Sequence, residues 1–154
     1  MTDMADVQEL CRDTIAAGPS DDVGYFADAD VIADVGTSKN DIEAALGSRG
    51  FVVVVDLPIA GETFHESPVS VHTMVTVPVM LQFNQEINNA TTGAGKGVLS
   101  AVDKAMSALL EYSATDEADK FTFGERPFEL VVNDAGLVAY VLWVKKLCVH
   151  STKN

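Results

Sequence analysis

The chain has 154 residues, enough for one domain with a sizeable core, and 47% hydrophobic against 21% charged residues argues against wholesale disorder. Its 23 acidic and 10 basic residues leave a formal charge of -13. That balance argues against a direct grip on nucleic acid, which needs clustered Lys and Arg, and against an anionic membrane surface as partner.

A first helix is expected over 3–17, where Met4, Val7, Cys11 and Ile15 recur at three- and four-residue steps. Thr2 or Asp3 can cap it, and Gly18-Pro19 stops it. The stretch to Gly36 is turn-rich, with a short strand or turn expected near Tyr25-Phe26. It is also acidic: Asp3, Asp6, Glu9, Asp13, Asp21, Asp22, Asp28, Asp30 and Asp34 face only Arg12. A solvated face is the plain reading. A calcium loop is the alternative, but Asp28-Ala-Asp30-Val-Ile-Ala-Asp34 lacks the loop's glycine and terminal Glu. Ser38-Lys-Asn-Asp41 resembles a capping box opening a short helix, Ile42-Glu-Ala-Ala-Leu46, that Gly47 closes.

Phe51-Val-Val-Val-Val-Asp56 is an apolar run expected as a central strand buried on both faces. The 57–68 segment, punctuated by Pro and Gly, is expected to be a long hairpin loop. Then comes the strongest pattern of the chain, a strand over 69–83. Val69, Val71, Val75, Val77, Val79, Leu81 and Phe83 alternate with Ser70, His72, Thr76, Pro78 and Gln82. Extended, it spans about 50 Å, far beyond the usual strand, so it bends or projects past the domain. Pro78 marks an edge or a bulge, because proline donates nothing to a ladder. A polar, glycine-rich segment over 84–97 leads to a helix over 98–112 with Val98, Val102, Ala105, Met106 and Leu109 inward. Two strands follow, over 127–133 and 137–149, joined by Asn133-Asp-Ala-Gly136 as a type I turn closing on a left-handed glycine. The predicted fold is α+β, one domain over 1–154, with an antiparallel sheet of about four strands, helices packed on one face and one long β-hairpin.

Chemistry-bearing motifs are weak. Thr91-Thr-Gly93-Ala-Gly95-Lys96-Gly97 invites a phosphate-loop reading, but position 90 is Ala and Gly97 stands where a Ser or Thr should hold magnesium. His65, His72 and His150 have no third ligand arranged by motif, so no metal is expected. Cys11 and Cys148 read as small core hydrophobes, with a disulfide as the alternative in an oxidising compartment. Cys148-Val-His150 puts two reactive types on one strand face without a motif around them, and no serine elbow occurs. No catalytic residue, cofactor or enzyme activity is expected. The start carries no basic region followed by an apolar one, and no stretch reaches membrane-span length, so a soluble chain made in the cytoplasm is expected.

The order of pieces resembles the tail terminator, or tail-completion, proteins of long-tailed bacteriophages, the group to which the minor tail protein U of phage lambda belongs. Four parts carry the resemblance: Asp41-Ile-Glu-Ala-Ala-Leu46 leading into the 51–56 strand; the loose hairpin before the long strand; Asn84-Gln-Glu-Ile-Asn88-Asn89 with the glycine-rich loop and amphipathic helix; and the last hairpin with Tyr140-Val-Leu-Trp143. It covers about 38–149 and leaves out the acidic segment 1–36. What it implies is a virion protein of the tail or neck, a ring commonly of six copies that caps the tail tube and stops its polymerisation. Its implied partners are further copies of itself, the tail tube protein and a head-proximal connector or stopper, with DNA passing the lumen without specific binding; a lumen lined by the acidic residues is a further expectation. Ring closure needs a heterologous interface. The expected contact residues are Gly61, Glu62, Phe64 and His65 in the hairpin, and Asn84, Glu86, Asn88 and Lys96 beyond the long strand. Another head–tail connector protein, an unrelated α+β binding module and a nucleotide binder using the 93–97 loop stay open as alternatives.

Overall fold

The computed structural model describes residues 4–88, 93–115 and 120–151. Helix α1 (Met4–Ala17) buries Val7, Cys11 and Ile15, one per turn, and ends where Gly18 adopts φ +76°. After two short 3-10 turns, Ser20–Asp22 and Asp28–Asp30, come β1 (Val31–Ala33), α2 (Lys39–Ser48) and β2 (Phe51–Val55). Then follow β3 (Ile59–Ser67), β4 (Ser70–Asn84), α3 (Val98–Thr115), β5 (Phe121–Asp134) and β6 (Leu137–Ser151).

The fold is α+β, and its sheet is mostly antiparallel with six strands rather than about four. The order is β1-β2-β4-β6-β5; β3 pairs with β4, and only β1 and β2 run parallel. β4 is the organising strand. One edge pairs with β6 over its whole length, from Ser70↔Ser151 to Asn84↔Leu137. The other edge serves two partners in turn: β3 along 70–76 and β2 along 79–83. Pro78 sits at the changeover. Its carbonyl accepts from Asp56 N–H at 2.9 Å, so the side on which it lacks a donor faces the short 56–58 connection and not a ladder. This is how a proline is tolerated in an interior strand.

The alternation of β4 divides the sheet into two faces. Val75, Val77, Val79, Leu81 and Phe83 are fully or almost fully buried and join Leu142 and Val144 of β6 beneath α1 and α3. Phe51 lies between Phe26 and Phe83, at ring distances of 6.0 and 5.1 Å. The other face is covered only in part. There α2 sets Ala44 and Ala45 beside Ile32 and sets Leu46 beside Gln82 and Ala139. That explains why every residue of β2 is buried: its odd positions lie under α1 and α3, and Val52 and Val54 face α2.

Four local expectations are corrected. The 57–68 segment is no loop; most of it is β3, exposed at every position but the last. Of the short strand or turn expected near Tyr25-Phe26, the chain has the turn, at Val23 and Gly24, and the first strand comes later at Val31–Ala33. Ser38 makes no side-chain cap; Asp34 Oδ1 instead closes the turn that leads into α2, accepting Gly36 N–H at 2.8 Å and Ser38 N–H at 3.2 Å. Gly47 lies inside α2, and Gly50, at φ +74°, turns the chain into β2. The last hairpin has positive φ at both Ala135 and Gly136, the primed turn whose twist matches its strands, rather than a type I turn.

Candidate assembly surface

The eight expected contact residues fall into two groups at opposite ends of β4, roughly 35 Å apart by strand rise. Gly61, Glu62, Phe64 and His65 are all exposed on β3. Phe64 pairs with His72 across the ladder, their rings tilted at 41° with centroids 5.1 Å apart, and Glu66 Oε2 lies 2.6 Å from His72 Nε2, off hydrogen-bond direction. Gly61 sits at a bulge where an added Cβ would meet Met74 O at 2.8 Å. Glu62, Phe64, Met74, Thr76 and Lys145 line a cleft of about 450 Å³ on the face that α2 leaves uncovered.

The second group is a clamp. Asn88 Nδ2 donates to Lys96 O at 2.8 Å, and Lys96 N–H donates to Asn88 Oδ1 at 2.9 Å, so one side chain closes the loop as a backbone strand would. Asn84 O accepts from Ile87 and Asn88, and Gln85 N–H donates to Gly136 O at 2.8 Å, tying this turn to the last hairpin. Glu86 is exposed beside Gly136. The Lys96 ammonium donates to Tyr25 O and lies 4.1 Å from that ring's centroid. Asn88 and Lys96 are therefore occupied within their own chain.

The same contacts answer the phosphate-loop reading. Positions 89–92 lie outside the described residues. Ala94 N–H donates to Arg49 O at 2.8 Å, and the amide and ammonium of Lys96 are engaged as above. Gly93 is needed for close approach, since a Cβ there would meet Ile87 O at 2.0 Å and Arg49 O at 2.6 Å. The amides of Ala94 and Lys96 and the Lys96 ammonium are thus engaged within the fold.

The acidic segment also spends its carboxylates separately. Arg12, its one base, donates to Val31 O, Asp28 O and Asp28 Oδ1 at 3.0, 2.7 and 2.8 Å. The amides of Gly36 and Ser38 hold the Asp34 carboxyl below its ordinary pKa. Asp30, whose side chain is 2% exposed, takes Arg49 Nε at 2.9 and 2.8 Å. Three carboxylates with three different partners do not converge on a cation, and the described residues hold no cluster of three or more His, Cys, Asp or Glu suited to a metal. His65 and His72 lie on opposite faces of the β3–β4 ladder. Cys11 and Cys148 are both buried and unbridged, and burial pushes the Cys11 thiol up to about 12.

Two features escaped sequence reasoning. One is Gln8, whose amide donates to Asp34 O and Val55 O at 2.8 and 2.9 Å and so joins α1 to β1 and β2. The other is the outer part of β5, where Phe128, Leu130, Val131 and Val132 are 41–45% exposed on a strand with no partner on its outer side among the described residues. Its only signal in the sequence is an apolar run with no helix assigned to cover it. Comparison with protein family models and with curated proteins finds no match to this chain.

Proposed function

We propose that this chain is a virion structural protein that forms a ring at the head-proximal end of a phage tail, ending growth of the tube and joining tail to head. The observation that carries the reading is β3. Nine residues of strand, twice bulged, extend along the distal half of β4, and all but the last are exposed. A strand of that kind gains little for its own domain, and it offers backbone donors, acceptors and a Phe64 ring to a partner. The internal use of the Ala94 and Lys96 amides weakens support for a nucleotide-binding role. The formal charge of -13 suits a wall past which DNA slides without adhering. The partners are further copies of this chain, the tail tube protein and a head-side connector.

The test is negative-stain microscopy of lysates from a phage source lacking the gene, complemented by the wild-type chain or by one deleted for 61–65. Overlong or headless tails without the gene, rescued by the wild-type chain alone, are expected. Normal particles without the gene refute the role, and rescue by the deletion refutes the part given to β3.

A further inference from the structure

Near its tip the β3–β4 arm buries a nitrogen, His72 Nε2, that has no hydrogen-bond partner among the described residues. We propose that His72 and Glu66 form a proton-operated latch there, closed when the imidazole is protonated and open when it is neutral. The inference stands on the hairpin alone and does not rest on the tail-end role.

Three observations lead there. First, the His72 side chain is only 13% exposed, and a buried polar atom without a partner is costly to keep. Second, a carboxylate stands against that atom: Glu66 Oε2 is 2.6 Å from it, on a side chain otherwise 68% exposed. The second bulge of β3 brings it there. His65 pairs with Val71 and Ser67 with Ser70, so Glu66 is the extra residue between two rungs, and a bulge re-aims the side chain it carries. Third, the surroundings leave this pair to itself. Across the ladders His72 faces Phe64 on β3 and Val149 on β6, and its neighbours on the same face of β4 are Ser70 and Met74. The other charged groups that β3, β4 and β6 carry on this face are Glu62, at the cleft that Phe64 also lines, and Lys145, opposite Thr76 and about 13 Å along the strand. His65 and His150 both pair with Val71 and lie on the other face, as does Lys146, which pairs with Val75.

Proton chemistry then decides the state of the contact. A neutral imidazole offers the carboxylate either a lone pair that repels it or an N–H directed off line. A protonated ring makes the same atom a charged donor, and the contact becomes a charge-assisted hydrogen bond that satisfies the buried nitrogen and pins the bulged residue. Histidine is the side chain that makes this change between about pH 5 and 8, a window in which ordinary carboxylates stay ionised. The latch therefore closes as pH falls through that window and opens as pH rises. With it open, the bulge is held by its backbone rungs alone, so the tip of the arm loosens while the core-anchored part of β4 does not change.

The test measures protection of the 64–73 amides against hydrogen exchange in the full chain, at about pH 5.5 and about pH 8, on either side of the ordinary histidine value. Chains are compared at the same pH, so the intrinsic exchange rate cancels. Glu66→Gln is expected to lower protection roughly two- to fivefold at the acid pH, the range for a partly exposed pair, and to leave it unchanged at the alkaline one. In a His72→Gln background the same substitution is expected to have no pH-dependent effect; in a His65→Gln background it is expected to act as in the wild type. An equal loss at both pH values overturns the proton dependence, and no loss at either overturns the contact. A pH-dependent loss that survives His72→Gln, or that disappears with His65→Gln, assigns the proton to another group and overturns the latch.

Discussion

Replacing Asn88 by alanine separates a clamp from a contact residue. The substitution removes two part-buried hydrogen bonds to the main chain of Lys96, at 2.8 and 2.9 Å, and an exposed one to Gln85 Oε1 at 2.9 Å. Net values of about 0.5–1.5 kcal/mol for each of the first two give a loss of about 1–3 kcal/mol, and the exposed bond adds little. In a chain of this size each kcal/mol lowers the melting midpoint by about 2–4 °C. Urea unfolding should show a lower midpoint with an unchanged slope, because the surface exposed on unfolding is the same. Asn88→Asp keeps the acceptor for Lys96 N–H but sets a carboxylate against Lys96 O, so it should recover no more than part of the loss. An Asn88→Ala chain with an unaltered midpoint and weakened self-association would refute the reasoning and return Asn88 to the interface.

Other perturbations follow from the same geometry. Gly50→Ala should cost at least about 2 kcal/mol in thermal or urea unfolding, combining left-handed strain at φ +74° with a Cβ 2.3 Å from Asn88 N; wild-type stability would show that the 84–88 turn moves freely. Arg49→Met leaves the Asp30 carboxylate, 2% exposed, without its cation and, since Arg49 itself is 43% exposed, should cost about 1–3 kcal/mol, with Asp30→Asn in the same chain recovering a measurable part in a double-mutant cycle. Asp56 has its carboxyl pKa raised by burial and then by the nearby Asp34 charge. A raised folded pKa means stability that is present below the unfolded value and lost as pH rises through the folded one. Asp56→Asn should therefore stabilise the chain near neutrality, and the gain should vanish below the unfolded carboxyl value of about 3.9; a gain that persists in acid would refute the assignment.

Legibility in the sequence followed burial. α1, α3 and β4 each pack one face on the core, so Val7, Cys11 and Ile15, or Val75, Val77 and Val79, repeat at the period of their element. β2 was readable by the opposite sign, a run without alternation, because both of its faces are covered. β3 was not, since a strand exposed on both faces has no reason to alternate, and Gly61 in its middle reads as a loop. β5 was shortened at its start because the register jumps between Phe123 and Phe128, which breaks the period. The clamp was hidden for a different reason. Asn84, Asn88 and Lys96 are polar residues in a glycine-rich stretch, and nothing in their order tells a side chain that holds its own backbone from one that waits for a partner.

The exchange of partners at Pro78 also divides the sheet into compartments of error. Bulges already interrupt the β3–β4 ladder beside Gly61 and near Glu66. A slip of β3 by two residues would keep its facing and could arise during folding or by insertion. Such a slip ends where β3 ends. The next rungs on that side belong to β2, whose pairing from Val55↔Val79 to Phe51↔Phe83 is anchored by the core. The arm can therefore change its register or its tip while the rest of the domain keeps one alignment, so a lineage can vary this exposed strand without refolding what carries it.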